Sequence, residues 1–320
     1  MRRISIGWTG HLADPVALAA LALDAVFGWP RALYAQVGHP VGSFARLIDW
    51  GERRWNRPDF AFAKRRELGL LLLLLLVGGA ATVAGLAAIV MHAACGWLGL
   101  ALLAAPGLAQ RSLDDHVRPV ARSLAVGDLP AAREAVARIV GRDVARLDEA
   151  AVARAAIESL AESFCDGVVA PLFWLLVFGV PGLWAYKAIN TADSMIGHRE
   201  ERWRAFGWAA ARIDDVANWL PARIAGWVLC VAGGGGFGTM WRDGGKHASP
   251  NAGRPEAAMA GALGLRLAGP VAYDGAVLNK PWIGSGRAEA TAADLTRALA
   301  VYRRACVALW IVSGVVAWAL

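Results

Sequence analysis

No two cysteines in this chain stand at a spacing that clips a metal or forms a redox pair. Cys95, Cys165, Cys230 and Cys306 are isolated, and three of them lie in apolar runs. They read as small hydrophobes, so neither a disulfide framework nor a zinc site is expected. No GxxxxGK[ST] stretch occurs, which excludes a P-loop for nucleotide phosphates. Strand signals are nearly absent and no internal repeat is visible, so β-rich and solenoid folds drop out. The net charge is +7. It comes without the interleaving of basic and aromatic residues that a nucleic-acid groove needs, so no nucleic-acid partner is expected.

Charge is missing most completely from Leu68–Val90, 23 residues reading LGLLLLLLLVGGAATVAGLAAIV. A bilayer core about 30 Å thick needs roughly 20 such residues per helix. Across the chain 57% of residues are hydrophobic, against about 45–50% for soluble domains. Further apolar runs cover Leu12–Trp29, Ala93–Ala109, Gly167–Ala185, Ile224–Trp241 and Ala305–Leu320. Several of the 15 tryptophans mark run edges (Trp29, Trp97, Trp184, Trp227, Trp241, Trp318), as an interfacial belt requires. The first run contains Asp14 and Asp24, which argues against a cleaved signal peptide, so the N-terminus is expected to be retained.

Lysine and arginine cluster in 31–67, 109–166, 187–219 and 242–304. If every run crossed the membrane, these clusters would alternate sides, against the positive-inside rule. Re-entrant turns resolve the conflict. FGVPG at 178–182 and the glycines Gly233–Gly236 are the expected turning points, while Leu68–Val90 and Ala93–Ala109 are expected to form a two-span hairpin. The expected fold is therefore an all-α integral membrane protein: a multi-span bundle with re-entrant or broken helices and cytoplasmic amphipathic helices. Residues 1–320 read as a single membrane-embedded catalytic unit, with 109–166 and 187–304 mostly facing the cytoplasm. Asp128 and Asp148 are expected N-caps, of a helix running to about Val140 and of EAAVARAAIESLAESF. Segment 187–220 reads as helical with turns near Gly197 and Gly207. Segment 243–287 reads as a loop with one short helix over 255–266.

Four polar constellations carry candidate chemistry. Glu158, Glu162 and Asp166 recur every four residues, so they share one helical face next to an apolar run. Three acids on one face are tolerable when solvated or when a cation binds them. Lys187, Asn190, Asp193 and Ser194 follow an apolar run directly. Their oxygens suit a hard cation such as Mg²⁺, and the lysine suits a phosphate. Arg212, Asp214, Asp215, Asn218 and Arg223 place two acids between two arginines, able to hold a metal and bracket a phosphate. His247, Asn251 and Glu256 lie in a Gly/Pro-rich stretch leading into a helix, whose free N–H groups favour anions. Together these point to Mg²⁺-dependent phosphate chemistry at a membrane face.

ESLAESFCDGVVAP (158–171), GLWAYKAINTADSMIGHR (182–199), FGWAAARIDDVANWLPAR (206–223) and HASPNAGRPEAAMAGALGLRLAGPVAYDG (247–275) resemble, in order, the motifs of the CobD/CbiB family of cobalamin biosynthesis. His39-Pro40-Val41-Gly42 and KPWIG at 280–284 fit it too. One departure is Gly28-Trp29-Pro30, where the family usually has Gly-Asp-Pro. The resemblance implies an adenosylcobinamide-phosphate synthase, which joins aminopropanol or its O-phosphate to a propionate of adenosylcobyric acid with ATP and Mg²⁺. On that basis Glu158, Glu162, Asp166, Asn190, Asp193, Asp214 and Asp215 are expected to bind metal. Arg212, Arg223, Asn251 and Glu256 are expected to hold ATP, and Lys187, Asp193, Asp215 and His247 to carry the chemistry. The setting implied is the cell inner membrane with a cytoplasmic site, among membrane lipid and later enzymes of the pathway. A phosphoalcohol transferase is the rival enzyme class, because Asp166-Gly-Val-Val-Ala170 begins like its signature, but Pro171 stands where that signature has arginine.

Overall fold

The computed structural model describes residues 14–319 apart from 274, 275 and 279. The first part of the Leu12–Trp29 run and the rest of the N-terminus before it lie outside the described residues. In chain order the helices are α1 (Val16–Phe27), α2 (Arg31–Val37), α3 (Pro40–Trp55), α4 (Phe62–Cys95), α5 (Trp97–Ala104), α6 (Gln110–Ala125), α7 (Leu129–Ala137), α8 (Glu149–Phe164), α9 (Ala170–Ile196) and α10 (Trp208–Ala217). They continue as α11 (Trp219–Gly233), α12 (Phe237–Asp243), α13 (Gly253–Leu263) and α14 (Ala292–Ala319). Between α13 and α14 lie four short strands, β1 (Leu267–Ala268), β2 (Val271–Tyr273), β3 (Ala276–Leu278) and β4 (Trp282–Ile283). β1 pairs with β4 and β2 with β3, both antiparallel. The fold is all-α and membrane-integral. Among the described residues three helical segments are long and apolar enough to cross a bilayer, Phe62–Cys95, Glu149–Ile196 and Ala292–Ala319, and two bent helix pairs would raise the count to five.

The contacts divide the chain into two compact units, each assembled from stretches far apart in sequence. The first takes residues 1–109, 170–217 and 312–320. Its axis is α4, 34 residues or about 51 Å at 1.5 Å per residue. One flank of α4 buries Leu72, Leu73 and Leu76 against Ile48, Ala188, Ala192, Ile196 and Phe206. Gly69 lets the Phe206 carbonyl come into contact with α4, where any side chain would collide. The other flank leaves Leu74, Leu75, Val83, Leu86, Ile89 and Val90 exposed. So many exposed aliphatic groups on one long helix are a lipid-facing surface.

The expected two-span hairpin is not formed. Gly96, at φ 60°, ends α4, and α5 runs only eight residues before the turn at Ala105–Gly107, which contains Pro106. Eight helical residues reach about 12 Å, far short of a hydrocarbon core. A break is present at FGVPG, where the turn is expected. Gly179 breaks α9 at φ 68°, and a Cβ on Gly182 would lie 2.6 Å from the Trp174 carbonyl. Eight residues of straight helix would separate those positions by about 12 Å, so α9 is sharply bent there.

The second unit takes residues 110–169 and 218–311. Its centre is α8, whose Val152, Ala153, Ala155, Ala156, Ile157, Leu160 and Phe164 are buried. Asp128 and Asp148 cap α7 and α8 as the sequence indicates, accepting from the N–H of Ala131 and Ala151. Beyond Phe164 the helix widens into a π turn at Cys165–Val169. Helices α11, α12 and α13 meet through small residues. A Cβ on Gly226 would press on Met240 Sδ at 2.6 Å, and one on Gly233 would meet Ala262 Cβ at 2.5 Å. The chain reverses between α11 and α12 at Gly234 and Gly236, both at positive φ, within the expected glycine run. The short helix in segment 243–287 starts and ends slightly earlier than its sequence signal. The strands there are a departure, since two- and three-residue pairs leave no alternating pattern to read.

Candidate functional site

Polar residues from three elements of the second unit converge. α8 presents Glu158 and Glu162, the loop after α12 presents His247, and the first turn of α13 presents Glu256. Glu162, His247 and Glu256 each place a ligand atom within 4.8 Å of the others. Glu256 is only 1% exposed, and its Oε1 has no hydrogen-bond partner among the described residues. Desolvating an isolated carboxylate costs several kcal/mol. Burial accordingly holds Glu256 well above the usual carboxylate range, and the charges of Glu158 and Glu162 push it further the same way.

Glu158 is already engaged. Its Oε2 accepts from Arg142 Nη2 at 2.9 Å, and its Oε1 accepts from the N–H of Ala268 at 2.9 Å. It therefore ties α8 to β1 and contributes charge at the edge of the cluster. Asp166 stands in the π turn, within electrostatic reach of Glu162. Lys280 faces the cluster as well and acts electrostatically on both Glu256 and His247.

His247 has a defined tautomer. Its Nδ1 accepts from the N–H of Ser249 at 3.0 Å, and its Nε2 lies 3.4 Å from Glu162 Oε1. Burial pushes the imidazole pKa down, with Lys280 adding to the effect. A neutral ring whose Nδ1 accepts carries its proton on Nε2. Glu162 Oε1 lies 3.4 Å from that nitrogen, so in this tautomer His247 sits beside a carboxylate with its Nδ1 lone pair already used. The oxygens of Glu162 and Glu256 remain, and a buried carboxylate oxygen without a donor fits a hard divalent cation such as Mg²⁺.

The other residues of the second unit fall elsewhere. Asn218 is buried and accepts a weak contact from Cys165 Sγ at 3.9 Å. Asn251 is buried in the turn before α13. The guanidinium of Arg223 lies 4.1 Å over the Trp219 ring and donates to the Trp219 carbonyl. The structure does not bring it to the carboxylates.

In the first unit, Lys187, Asn190 and Asp193 follow one another along the second arm of α9, and Lys187 is within electrostatic reach of His39. Ser194 donates its hydroxyl to the Asn190 carbonyl at 2.8 Å, a local helix bond that uses it up. The Asp193 side chain packs over Gly197, where a Cβ would collide with it. Arg212, Asp214 and Asp215 lie on α10, Asp214 buried and the other two more open. Arg212 and Asp215 line a pocket with Arg199 and Arg204. His39 caps α3 through Nδ1, accepting from the N–H of Val41, which accounts for the His-Pro-Val-Gly stretch. Trp29 packs edge-on against His39 and donates to the Gly38 carbonyl at 3.2 Å.

Sequence reasoning did not single out Arg142, Lys280, Arg199 or Arg204. Lys280 was legible as the first residue of KPWIG. The three arginines had no periodic signal, because loops place them.

Residues 17–302 match the family described as CobD/Cbib protein. The chain is 49% identical over 306 residues to the cobalamin biosynthesis protein CobD of Rhodobacter capsulatus, covering 94% of this chain and 96% of that one. It is 47% identical over 301 residues to the protein of the same name from Sinorhizobium sp, covering 90% and 93%. The Brucella suis biovar 1 protein is 46% identical over 296 residues, covering 88% and 90%. No solved structure matches.

Proposed function

The chain belongs to the CobD/Cbib family, and from that premise we propose that it acts in cobalamin biosynthesis as an adenosylcobinamide-phosphate synthase. The reaction is ATP-dependent amide formation between aminopropanol, or its O-phosphate, and a propionate of adenosylcobyric acid. It takes place at the cytoplasmic face of the inner membrane, where ATP is available.

The reading rests on one observation: a buried acid, Glu256, set beside Glu162 with an oxygen that no donor among the described residues satisfies. Amide formation from a carboxylate at neutral pH requires one carboxylate oxygen to become a leaving group, which phosphorylation by ATP achieves. Mg²⁺ held by Glu162 and Glu256 would neutralise charge on the polyphosphate. The protein's own groups do the rest. His247 holds Glu162 in place through its Nε2–H, Arg142 and the Ala268 N–H hold Glu158, and Lys280 offers a cation facing the acids. Lys187, Asn190, Asp193, Asp214 and Asp215 remain candidates for substrate and metal contacts of their own unit.

Purified protein in detergent, given ATP, Mg²⁺, adenosylcobyric acid and the amine, tests this directly. ADP release that requires both the corrinoid acid and the amine is the expected result. ATP turnover indifferent to the corrinoid, or amide formation without ATP, would sink the reading.

A further inference from the structure

We propose that the pocket at the junction of α9 and α10 binds a small phosphomonoester carrying an ammonium group on a short arm. The site lies wholly within the first unit and is built by the loop between the two helices. Arg199, Arg204 and Arg212 line it together with His198, Trp208 and a single acid, Asp215.

The walls are held close by glycines. A Cβ on Gly207 would strike the Ile196 carbonyl, and one on Gly197 would strike Asp193. The start of α10 is thereby brought against the end of α9, with Gly207, Trp208 and Ala211 forming one wall. The positive end of the α10 dipole adds to the pull on an anion. Outside the wall, the Arg66 guanidinium lies 3.5 Å from the Trp208 ring centroid, a further cation behind the ring.

Charge and size select the ligand. Three guanidinium groups around one cavity suit a dianionic phosphate better than a monoanion, since each guanidinium offers paired N–H donors to phosphate oxygens. Arg204 also meets Glu201 at 3.5 Å, but that pair is exposed on both sides and so is weak and easily exchanged. Asp215, the one acid of the lining, is in electrostatic contact with Arg212 and Arg199. In a site for a zwitterion it is the partner of the ammonium. The cavity measures about 240 Å³. That is below the roughly 300–1,000 Å³ of pockets for drug-sized ligands. A phosphate with a two- or three-carbon amine is small enough to enter it. The assignment rests on the synthase reading for which molecule arrives. It reassigns Asp215 from metal binding to recognition of the amine.

The same chemistry occurs in an ethanolamine lipid headgroup, so the test separates the two sources. Full-length protein is placed in phosphatidylcholine nanodiscs, and O-phosphoethanolamine binding is followed by calorimetry without ATP or corrinoid. Wild type is expected to bind it. Arg212→Ala and Arg199→Ala should each weaken binding about tenfold or more. Asp215→Asn should weaken O-phosphoethanolamine but leave ethyl phosphate, which lacks the amine, unchanged. Thermal unfolding confirms that each variant is folded. No binding by wild type, equal affinity in the arginine variants, or an equal effect of Asp215→Asn on both probes overturns the site. Loss of binding when phosphatidylethanolamine replaces phosphatidylcholine assigns the pocket to lipid and overturns the substrate assignment. Probe binding that persists in a protein making no amide would count against the synthase reading alone. Amide synthesis with Arg212→Ala binding the probe as wild type does would count against this site alone.

Discussion

The second unit gathers carboxylates around a buried acid, and the first gathers guanidinium groups around an open pocket. The acids sit on regular helix, at α8 and the start of α13, and among the described residues Glu256 Oε1 has no hydrogen-bond partner. The arginines sit on a loop and on the exposed turn of α10, where water and nearby acids screen them. A rigid, under-compensated cluster stores electrostatic energy that a cation can release. An exposed, solvated set of cations stores little and suits a ligand that must enter and leave. The difference is between a site that fixes an ion and one that exchanges a substrate.

The largest effect should come from the least compensated acid. Glu256→Gln keeps the shape and removes the charge. It should lower the turnover of the amide-forming reaction by about 10²–10³-fold, the scale for losing one preorganised electrostatic group. Stability in metal-free buffer should hold or rise at neutral pH. The acid's native pKa is raised by burial, so its ionisation opposes folding once the pH exceeds the ordinary carboxylate range. Arg212→Ala should instead raise the KM for the phosphorylated amine and leave turnover closer to wild type. Equal turnover losses in the two variants would erase the distinction drawn between the regions.

The carboxylate cluster was half legible in the sequence, and the arginine pocket hardly at all, for physical reasons. Glu158 and Glu162 repeat at the helix period, so their shared face follows from geometry, and the caps Asp128 and Asp148 announce helix starts. The chain breaks at Gly179 and at Gly234–Gly236 were readable because glycine and proline in an apolar run leave few other conformations. The membrane span at α4 needed only its lack of charge. Pairing Glu256 and His247 with α8 required tertiary packing of α13 on α8, which no local pattern encodes. Arg199 and Arg204 are placed by the 197–207 loop, whose course depends on two glycine contacts. The failed hairpin at Ala93–Ala109 has the same origin: composition marked it apolar, but Gly96 and Pro106 set its length.

A saturated acid sharpens the contrast with Glu256 inside one unit. Asp243 is as buried as Glu256, at 1% exposure, yet it is surrounded by donors. Arg242 holds it at 2.8 Å, Lys246 at 2.7 Å, and the N–H of Gly284 at 2.9 Å. The Arg242 guanidinium, with Lys246 and the Gly284 N–H adding to it, keeps the Asp243 carboxyl well below its ordinary range. A depressed native pKa contributes stability that is complete above the unfolded-state value of about 3.9 and is lost as pH falls below it. Asp243→Asn should therefore destabilise the protein by about 1–3 kcal/mol at pH 7, the cost of breaking a buried bonded group. It should flatten the acid limb of the stability curve below about pH 4 and leave the turnover of the folded fraction unchanged. A catalytic loss like that of Glu256→Gln would mean that burial alone, and not missing compensation, marks the functional acid.

The smallest effect belongs to an acid at the outer end of the same helix. Asp148 caps α8 by accepting from the N–H of Ala151 at 2.7 Å, ten residues ahead of Glu158. Replacing it with alanine leaves one N–H of the first turn unsatisfied and should cost about 1 kcal/mol. The loss would appear as a lower midpoint in thermal unfolding. Fraying at that end is opposed by the next turns, where Val152, Ala153, Ala155 and Ala156 are fully buried, so it should not propagate to Glu162. Turnover should stay at the wild-type level while the midpoint falls. A coupled loss of turnover would mean that α8 behaves as a single lever from cap to carboxylate, and that the rigidity ascribed to the acidic cluster depends on the whole length of the helix.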